Sequence, residues 1–579
     1  MKLLLTAINA KYIHSSLSMR YLKSCCSDLP LNIELCEFTI NNHLLDIADQ
    51  IFDKRPDILG VECYIWNIEL IKELLPLIKK LLPHVIIICG GPEISYGTKE
   101  MMEQLPAIDY VIRGEGEETL HELLCRLIAG KNTTDIPGLA QKTLNGIETS
   151  LPVVFADMDK LPFPYADEDI KTLDNRIIYY ESSRGCPFSC KYCLSCATKG
   201  VRYRSLDKVL PELAFFVRHN VRQIKFVDRT FNADKKHFLP ILEFISKQNC
   251  RTNFHFETAI DYIDDDVLIL LRKMPPGRVQ LEIGIQSTNP LTLQHVSRHN
   301  NWQKISTNIK SILSFGNIHV HTDLIIGLPY EDVTSLTKSF NDMYALHPDM
   351  LQVGFLKLLK GSAMEHLVDA HKYSFMDTAP YQVLANSYIS AEEMRTLRIF
   401  VDVFELYYNS GRFPNSLNYL INGFSNDAFS FFSKFALFWY NKGLGKAAHS
   451  PKSLYAYLAG FVNSLPKVSI EILFELMKLD AICSDHGRFK ADFLNWSEKE
   501  HSKEIETFWK NSAVVQKYIP GYEFISRRTI KNSYHIEHFS IDIPVFINQH
   551  SIKQSHCIVL FIYGEDRVKK ISIDKGDLL

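Results

Sequence analysis

The sequence predicts an α/β protein in three parts: an N-terminal doubly wound parallel sheet, a partial (β/α)6 barrel, and a mainly helical C-terminal region ending in a small sheet. Three observations carry this. Short apolar runs alternate with helical patterns over residues 1–150, and the alternation resumes over residues 176–360. Residues 381–512 are mainly helical and rich in aromatics, and residues 520–575 return to alternating patterns. At 579 residues the chain is too long for one hydrophobic core.

In the first part the strand-like runs are residues 3–8, 33–38, 58–64, 85–89 and 110–112, each followed by a helical pattern. Ligands of such sheets bind beyond the carboxyl ends of the strands. The polar loops at that edge carry His14 and Ser15, then Tyr64, Trp66 and Asn67, then Gly90, Gly91 and Glu93, then Gly114 and Glu115. None is a G-x-G-x-x-G, so the nicotinamide or flavin fingerprint is missing. Residues 151–175 contain three prolines and no sustained period, and read as a linker. Residues 176–375 then supply six strand-like runs, at 177–181, 223–227, 253–258, 279–285, 319–326 and 351–355. Six βα units fit a second open sheet or a partial barrel, and a barrel gathers its chemistry at the strands' carboxyl ends. The C-terminal extension takes residues 376–579.

The segment 181–196 reads ESSRGCPFSCKYCLSC and places Cys186, Cys190 and Cys193 in a C-x3-C-x2-C spacing directly after a strand. Three thiolates on one loop can hold three irons of a cubane and leave the fourth open to a substrate. A zinc loop is the alternative, but it would need a second C-x2-C or a histidine pair at usual spacing. Cys196 continues the series and could close the fourth iron, which would make a redox sensor. The remaining cysteines of the 13 read as reduced, structural thiols.

With Tyr192 before its last cysteine, this loop resembles the signature of the radical S-adenosylmethionine superfamily. The resemblance implies a [4Fe–4S] cluster on Cys186, Cys190 and Cys193. It also implies S-adenosylmethionine chelated by the open iron and cleaved to a 5′-deoxyadenosyl radical. Further matches are Asp228 for the methionine amine, Glu257 facing the lumen, Gln286 and Ser287 near the ribose, and Ile325 and Gly327 against adenine. The loops of the first part together resemble a cobalamin-binding domain, most clearly in GGPE and GEGEE. That resemblance implies Gly90 and Gly91 beside the corrin or its tail, with Tyr64, Trp66 or Asn67 on one face. The D-x-H-x-x-G motif is missing, so His14 is not expected to ligate cobalt. The C-terminal region resembles the extension of one branch of these cobalamin proteins.

The expected function is that of a cobalamin-dependent radical enzyme methylating an unactivated carbon. The alternatives are another radical reaction, such as rearrangement or tRNA methylthiolation, and a non-catalytic cobalamin or redox sensor. Basic and acidic residues number 64 and 67, a net charge of −3, which disfavours a nucleic-acid partner. No apolar run spans a bilayer and no export signal is evident, so a cytoplasmic location without a membrane partner is expected. The expected partners are an unknown substrate and a flavodoxin- or ferredoxin-type electron donor.

Overall fold

The computed structural model describes the chain apart from residues 198, 199, 425, 464, 466, 467, 487, 489, 525, 565–567 and 579, and the side chains of 196, 197, 498, 499 and 527. The expectation about the Cys196 thiol therefore lies outside the described residues. Two compact units result, Met1–Ala391 and Glu392–Leu579.

The first unit opens with β1 (Lys2–Asn9), β2 (Asn32–Thr39), β3 (Ile58–Glu62), β4 (Ile86–Gly90), β5 (Tyr110–Ile112), β6 (Leu139–Thr143) and β7 (Gly146–Thr149). They form one sheet in the order β2-β1-β3-β4-β5-β6-β7, the first five parallel and the last two antiparallel. Period-two alternation in β1 makes the sheet doubly covered. Leu4 and Ile8 join the core with Ile47, Ile51, Ile71 and Leu75 on one face. Leu3, Leu5 and Ala7 join Met19, Leu120 and Leu124 on the other. The order reverses between β1 and β3, the switch point where such sheets bind ligands. Strands β6 and β7 were not expected: LAQKT and GIET are short and largely polar, and β7 buries no residue fully.

Residues 151–175, read as a linker, pack against the first sheet. Val153 forms a bridge with Gly114, and Phe155, Met158 and Leu161 bury themselves around Tyr21. A 3-10 turn at Met158–Lys160 and a helix at Asp167–Thr172 complete the segment.

The second sheet comprises β8 (Ile178–Tyr180), β11 (Gln223–Phe226), β12 (Asn253–Glu257), β13 (Val279–Gln286), β14 (Ile318–Ile326) and β15 (Met350–Phe355), all parallel and in chain order. A short antiparallel hairpin, β9 (Ser183–Cys186) with β10 (Gly200–Tyr203), rises from the end of β8. Laid flat, β8 to β14 would span about 19 Å at usual strand spacing. Instead, one small cavity touches the cysteine loop and the ends of β11, β12, β13 and β14. The sheet is therefore curled, and β8 and β15 do not pair, so the barrel stays open. A further small ribbon, β16 (Ser374–Phe375) with β17 (Val383–Ala385), also belongs to the first unit and straddles the boundary at 375 read from the sequence.

The second unit is mainly helical, with helices at Pro414–Gly423, Ala428–Asn441, Pro451–Val462 and Ile470–Asp485. It ends in an antiparallel sheet of β18 (Tyr534–Ile541), β19 (Gln554–Tyr563) and β20 (Val568–Ile573). The aromatic run is core, as its spacing suggested: Phe431, Phe432, Phe435 and Trp439 are buried. Among the described residues no helix is long and apolar enough to cross a membrane.

Candidate active site

Two cavities adjoin in the first unit. The larger, about 700 Å³, lies at the switch point of the N-terminal sheet. Its walls include His14, Ser15, Tyr64, Trp66, Gly90, Gly91, Gly114 and Glu115, and from the barrel Tyr179, Arg184, Arg202 and Arg229. Trp66 is an exposed indole stacked on Tyr64 with centroids 4.3 Å apart, and its Nε1 donates to the Ile8 carbonyl at 3.0 Å. A fixed, exposed aromatic face beside a large cavity suits a flat, bulky ligand. His14 sits at the rim with Nδ1 2.7 Å from the Tyr179 hydroxyl, and burial together with Lys11 and Lys225 lowers its pKa. Ser15 donates to the Ile177 carbonyl at 2.9 Å.

Two expected residues of this group do not reach the cavity. Asn67 is fully buried and donates to the carbonyls of Ile8 and Glu62, so it ties the β1 and β3 ends together. Glu93 is buried and accepts from the Tyr381 hydroxyl at 2.8 Å. Gly91 also meets a constraint from its own chain. Its φ is +110°, and an added Cβ would stand 2.6 Å from the Cys63 carbonyl oxygen, so the close approach is to its own chain.

Glu62, at the floor, was not singled out in the sequence because it reads as an ordinary strand end. It accepts from the hydroxyls of Ser16 and Ser18, both at 2.7 Å, while burial pushes its pKa from 4.5 to about 7. A carboxyl whose folded pKa is raised contributes stability that is complete below the unfolded pKa and is lost as pH rises through the folded one. Thermal unfolding of wild type and Glu62→Gln at pH 5 and pH 8 should therefore diverge. The variant should be more stable at the higher pH by roughly 3 kcal/mol. Equal pH dependence in both proteins would refute the burial argument.

The smaller cavity, about 180 Å³, contains Cys186, Cys190, Tyr192, Cys193, Glu257 and Gln286. All three cysteines are in the reduced, thiol form. Cys186 lies 3.5 Å from the Thr230 hydroxyl, and the Cys193 sulfur accepts from the Ser195 amide at 3.4 Å. Arg298, also unforeseen, donates to Cys190 Sγ at 3.7 Å and to the Tyr192 hydroxyl at 3.2 Å. It also donates to the Gly284 carbonyl. A single zinc ion would draw its sulfurs to about 3.8 Å from one another. Among the described residues, the three-residue groups with donor atoms all within 4.8 Å do not include these cysteines. A spacing wider than that is compatible with a multi-iron cluster.

Strand β13 ends in a register shift between Gly284 and Gln286, and Gln286 takes a left-handed φ of 71°. Its Oε1 is buried without a hydrogen-bond partner, an acceptor turned toward whatever fills the cavity. Burial pushes Glu257 up to about 7, against the pull of Arg229. Glu282 behaves oppositely: burial raises it, but His255 at 2.9 Å and Lys225 at 2.8 Å outweigh this and hold it well below the usual range.

Four expected residues stand outside this cavity. Asp228 is fully buried and accepts from the Ser182 amide at 2.8 Å and from the hydroxyls of Ser182 and Ser183, so it braces the turn out of β8. Ser287 donates to Glu331 at 2.6 Å. The Gly327 carbonyl accepts from Tyr373 at 3.0 Å and Asn386 at 2.9 Å. Ile325 lies on β14 beside Gly354 and does not line the cavity. An acid or serine at a strand end has the same sequence appearance whether it faces a ligand or a neighbouring loop.

Two features join the cavities. Ser195 and Arg229 line both. Glu115 of the N-terminal sheet accepts from Arg202 at 2.7 Å and Arg184 at 3.1 Å, both on the cysteine hairpin. Arg184 also reaches Glu117 and Glu181, each at 2.8 Å. Glu115 therefore lines the larger cavity and clamps the cysteine loop against it.

Comparison with known proteins agrees with this division. The B12 binding domain family matches residues 3–124 and the Radical SAM superfamily matches residues 180–343. The chain carries a B12-binding domain and a radical SAM domain. A third family, described as a protein of unknown function (DUF4080), matches residues 369–561. An uncharacterised methyltransferase of Pyrococcus horikoshii is 27% identical to this chain over 294 residues, 49% of this chain and 63% of that one. The cobalamin-dependent radical SAM methyltransferase TokK of Streptomyces tokunonensis is 27% identical over 322 residues, 50% and 45% of the two chains. The chain thus spans about half the length of the curated relatives it matches. In fold, it resembles the cobalamin-dependent radical enzyme OxsB, solved with aqua-cobalamin and S-adenosylmethionine, at TM-score 0.57 and 16% identity over 83% of this chain and 79% of that one. It also resembles the methyltransferase TsrM of Kitasatospora setae, at TM-score 0.54 and 17% identity over 66% and 76%.

Proposed function

We propose that this protein is a cobalamin-dependent radical S-adenosylmethionine methyltransferase acting on an unactivated carbon. The observation that carries the reading is the shared wall: Ser195 and Arg229 line both the cavity beside the aromatic stack and the cavity of the three cysteines. A substrate at that junction would face both cofactors at once, which is what hydrogen abstraction followed by methyl transfer requires. Cys186, Cys190 and Cys193 would hold a [4Fe–4S] cluster, and the stack of Tyr64 and Trp66 would cover a corrin. When bound, these groups supply the electron that cleaves S-adenosylmethionine and the carrier for the methyl group.

The chain's own residues do the rest. Arg298 and the Ser195 amide stabilise negative charge on Cys190 and Cys193. The acceptor on Gln286 would orient the nucleoside. Glu257, near neutrality in pKa, can release or take a proton in the smaller cavity without a large shift in pH. A flavodoxin- or ferredoxin-type protein would deliver the electron.

The test is anaerobic reconstitution with iron, sulfide and cobalamin, followed by assay for 5′-deoxyadenosine with a chemical reductant. Formation of 5′-deoxyadenosine is expected, and its absence from a fully loaded protein would overturn the radical reading. Isotope from the S-adenosylmethionine methyl group should then appear in the product of a true substrate. Turnover of such a substrate without that label would remove methyl transfer while leaving radical chemistry intact.

A further inference from the structure

The second unit holds a cluster that the cofactor sites do not use. His501 and Glu504 stand three residues apart at the start of the helix Ser502–Lys510, so they share one face. His501 Nδ1 lies 2.9 Å from Glu504 Oε2. His538, on β18, lays its ring flat on His501, with centroids 3.9 Å apart and planes 4° from parallel. One donor atom from each of the three falls within 4.8 Å of the others. Behind them, His556 Nε2 is 3.2 Å from His538 Nδ1.

The other nitrogen of His538 is the informative atom. The residue is only 9% exposed, and its Nε2 is buried with no hydrogen-bond partner. Imidazole nitrogens in that position are usually paired, because stripping water from a polar atom without replacing it is unfavourable. His556 offers an explanation. If His538 donates its Nδ1 proton to His556, the tautomer is fixed and a lone pair is left on Nε2. That is the arrangement by which an outer histidine or carboxylate orients a metal ligand.

We propose that His501, Glu504 and His538 form a binding site for one divalent transition-metal ion, with His556 orienting His538. Two imidazoles and a carboxylate without a thiolate suit Zn²⁺ and its neighbours, and three protein ligands leave at least one coordination position open. Ligand atoms around such an ion stand about 3.3 Å apart, so the present separations of up to 4.8 Å require a modest contraction. Parallel rings cannot both aim in-plane lone pairs at one ion. Metal entry therefore turns His501 out of the stack, and its side chain, 32% exposed, has room to turn. The ion would clip the start of the Ser502–Lys510 helix to β18. The site shares no residue with the three cysteines.

The experiment uses the full chain without a histidine tag, with its cluster assembled so that the cysteines cannot take zinc. Zn²⁺ binding is followed by calorimetry and by elemental analysis after gel filtration. The expected result is about one zinc per chain beyond the cluster metals, with a rise in the unfolding midpoint of the second unit. Histidine proton resonances should shift as the ring stack opens. Glu504→Gln and His538→Asn should each weaken Zn²⁺ binding at least about tenfold, while His486→Gln leaves it unchanged. Glu504 is 38% exposed, so its variant should fold even if the buried His538 substitution does not. No zinc on the wild type, or equal zinc affinity in wild type and Glu504→Gln, would overturn the site.

Discussion

Cys190→Ala is expected to abolish S-adenosylmethionine cleavage. The thiol is 6% exposed, held by Arg298 at 3.7 Å, and lies between the other two cysteines of the loop. Losing one of three ligands leaves two irons' worth of anchoring for a cluster that needs three. Iron content and visible absorption after reconstitution should fall to background, and 5′-deoxyadenosine should become undetectable. Stability should change by only about 1 kcal/mol, since the substitution removes one atom from a small side chain. Cobalamin uptake should persist, because none of the three cysteines lines the larger cavity. Cys250→Ala, outside both cavities, serves as the control and should keep full cleavage. A Cys190→Ala protein with wild-type iron and cleavage would remove the loop from the mechanism.

Glu115→Gln should have the next largest effect, and of a different kind. Its carboxylate serves two half-buried arginines. Arg184 retains Glu117 and Glu181, but among the described residues Arg202 keeps only the Phe155 carbonyl. An arginine left without its counter-charge at this depth costs about 2–4 kcal/mol. Urea unfolding of the first unit should show that loss. The variant should still make 5′-deoxyadenosine, because the cysteines are untouched, while methyl transfer falls as the hairpin loosens against the larger cavity. Parallel loss of both activities would mean that Glu115 supports the cluster itself and not its placement.

Much of this arrangement can be read along the chain. The C-x3-C-x2-C spacing, the two series of βα units and the aromatic helices are local patterns, and local patterns survive in a linear sequence. Strand-end loops were identifiable as the ligand edge of the first sheet, and most of the residues named there do line its cavity. The residues that stand outside the cavities share one feature. Asp228, Ser287, Asn67 and Glu93 are polar residues at strand ends whose partners, Ser182, Glu331, the Ile8 carbonyl and Tyr381, come from elsewhere in the fold. A side chain satisfied by a distant neighbour looks the same in sequence as one offered to a ligand.

The sequence by itself determined that three thiols share one loop after a strand, and that a doubly wound sheet precedes it. Both follow from spacings of a few residues. Only the tertiary structure decided what those pieces face. Arg298 beside Cys190, the Glu115 clamp, the wall shared by Ser195 and Arg229, and the stacking of His501 on His538 each join residues tens to more than a hundred positions apart, or bring two such segments to one cavity. Such contacts are set by how sheets curl and pack, and no short-range pattern encodes them.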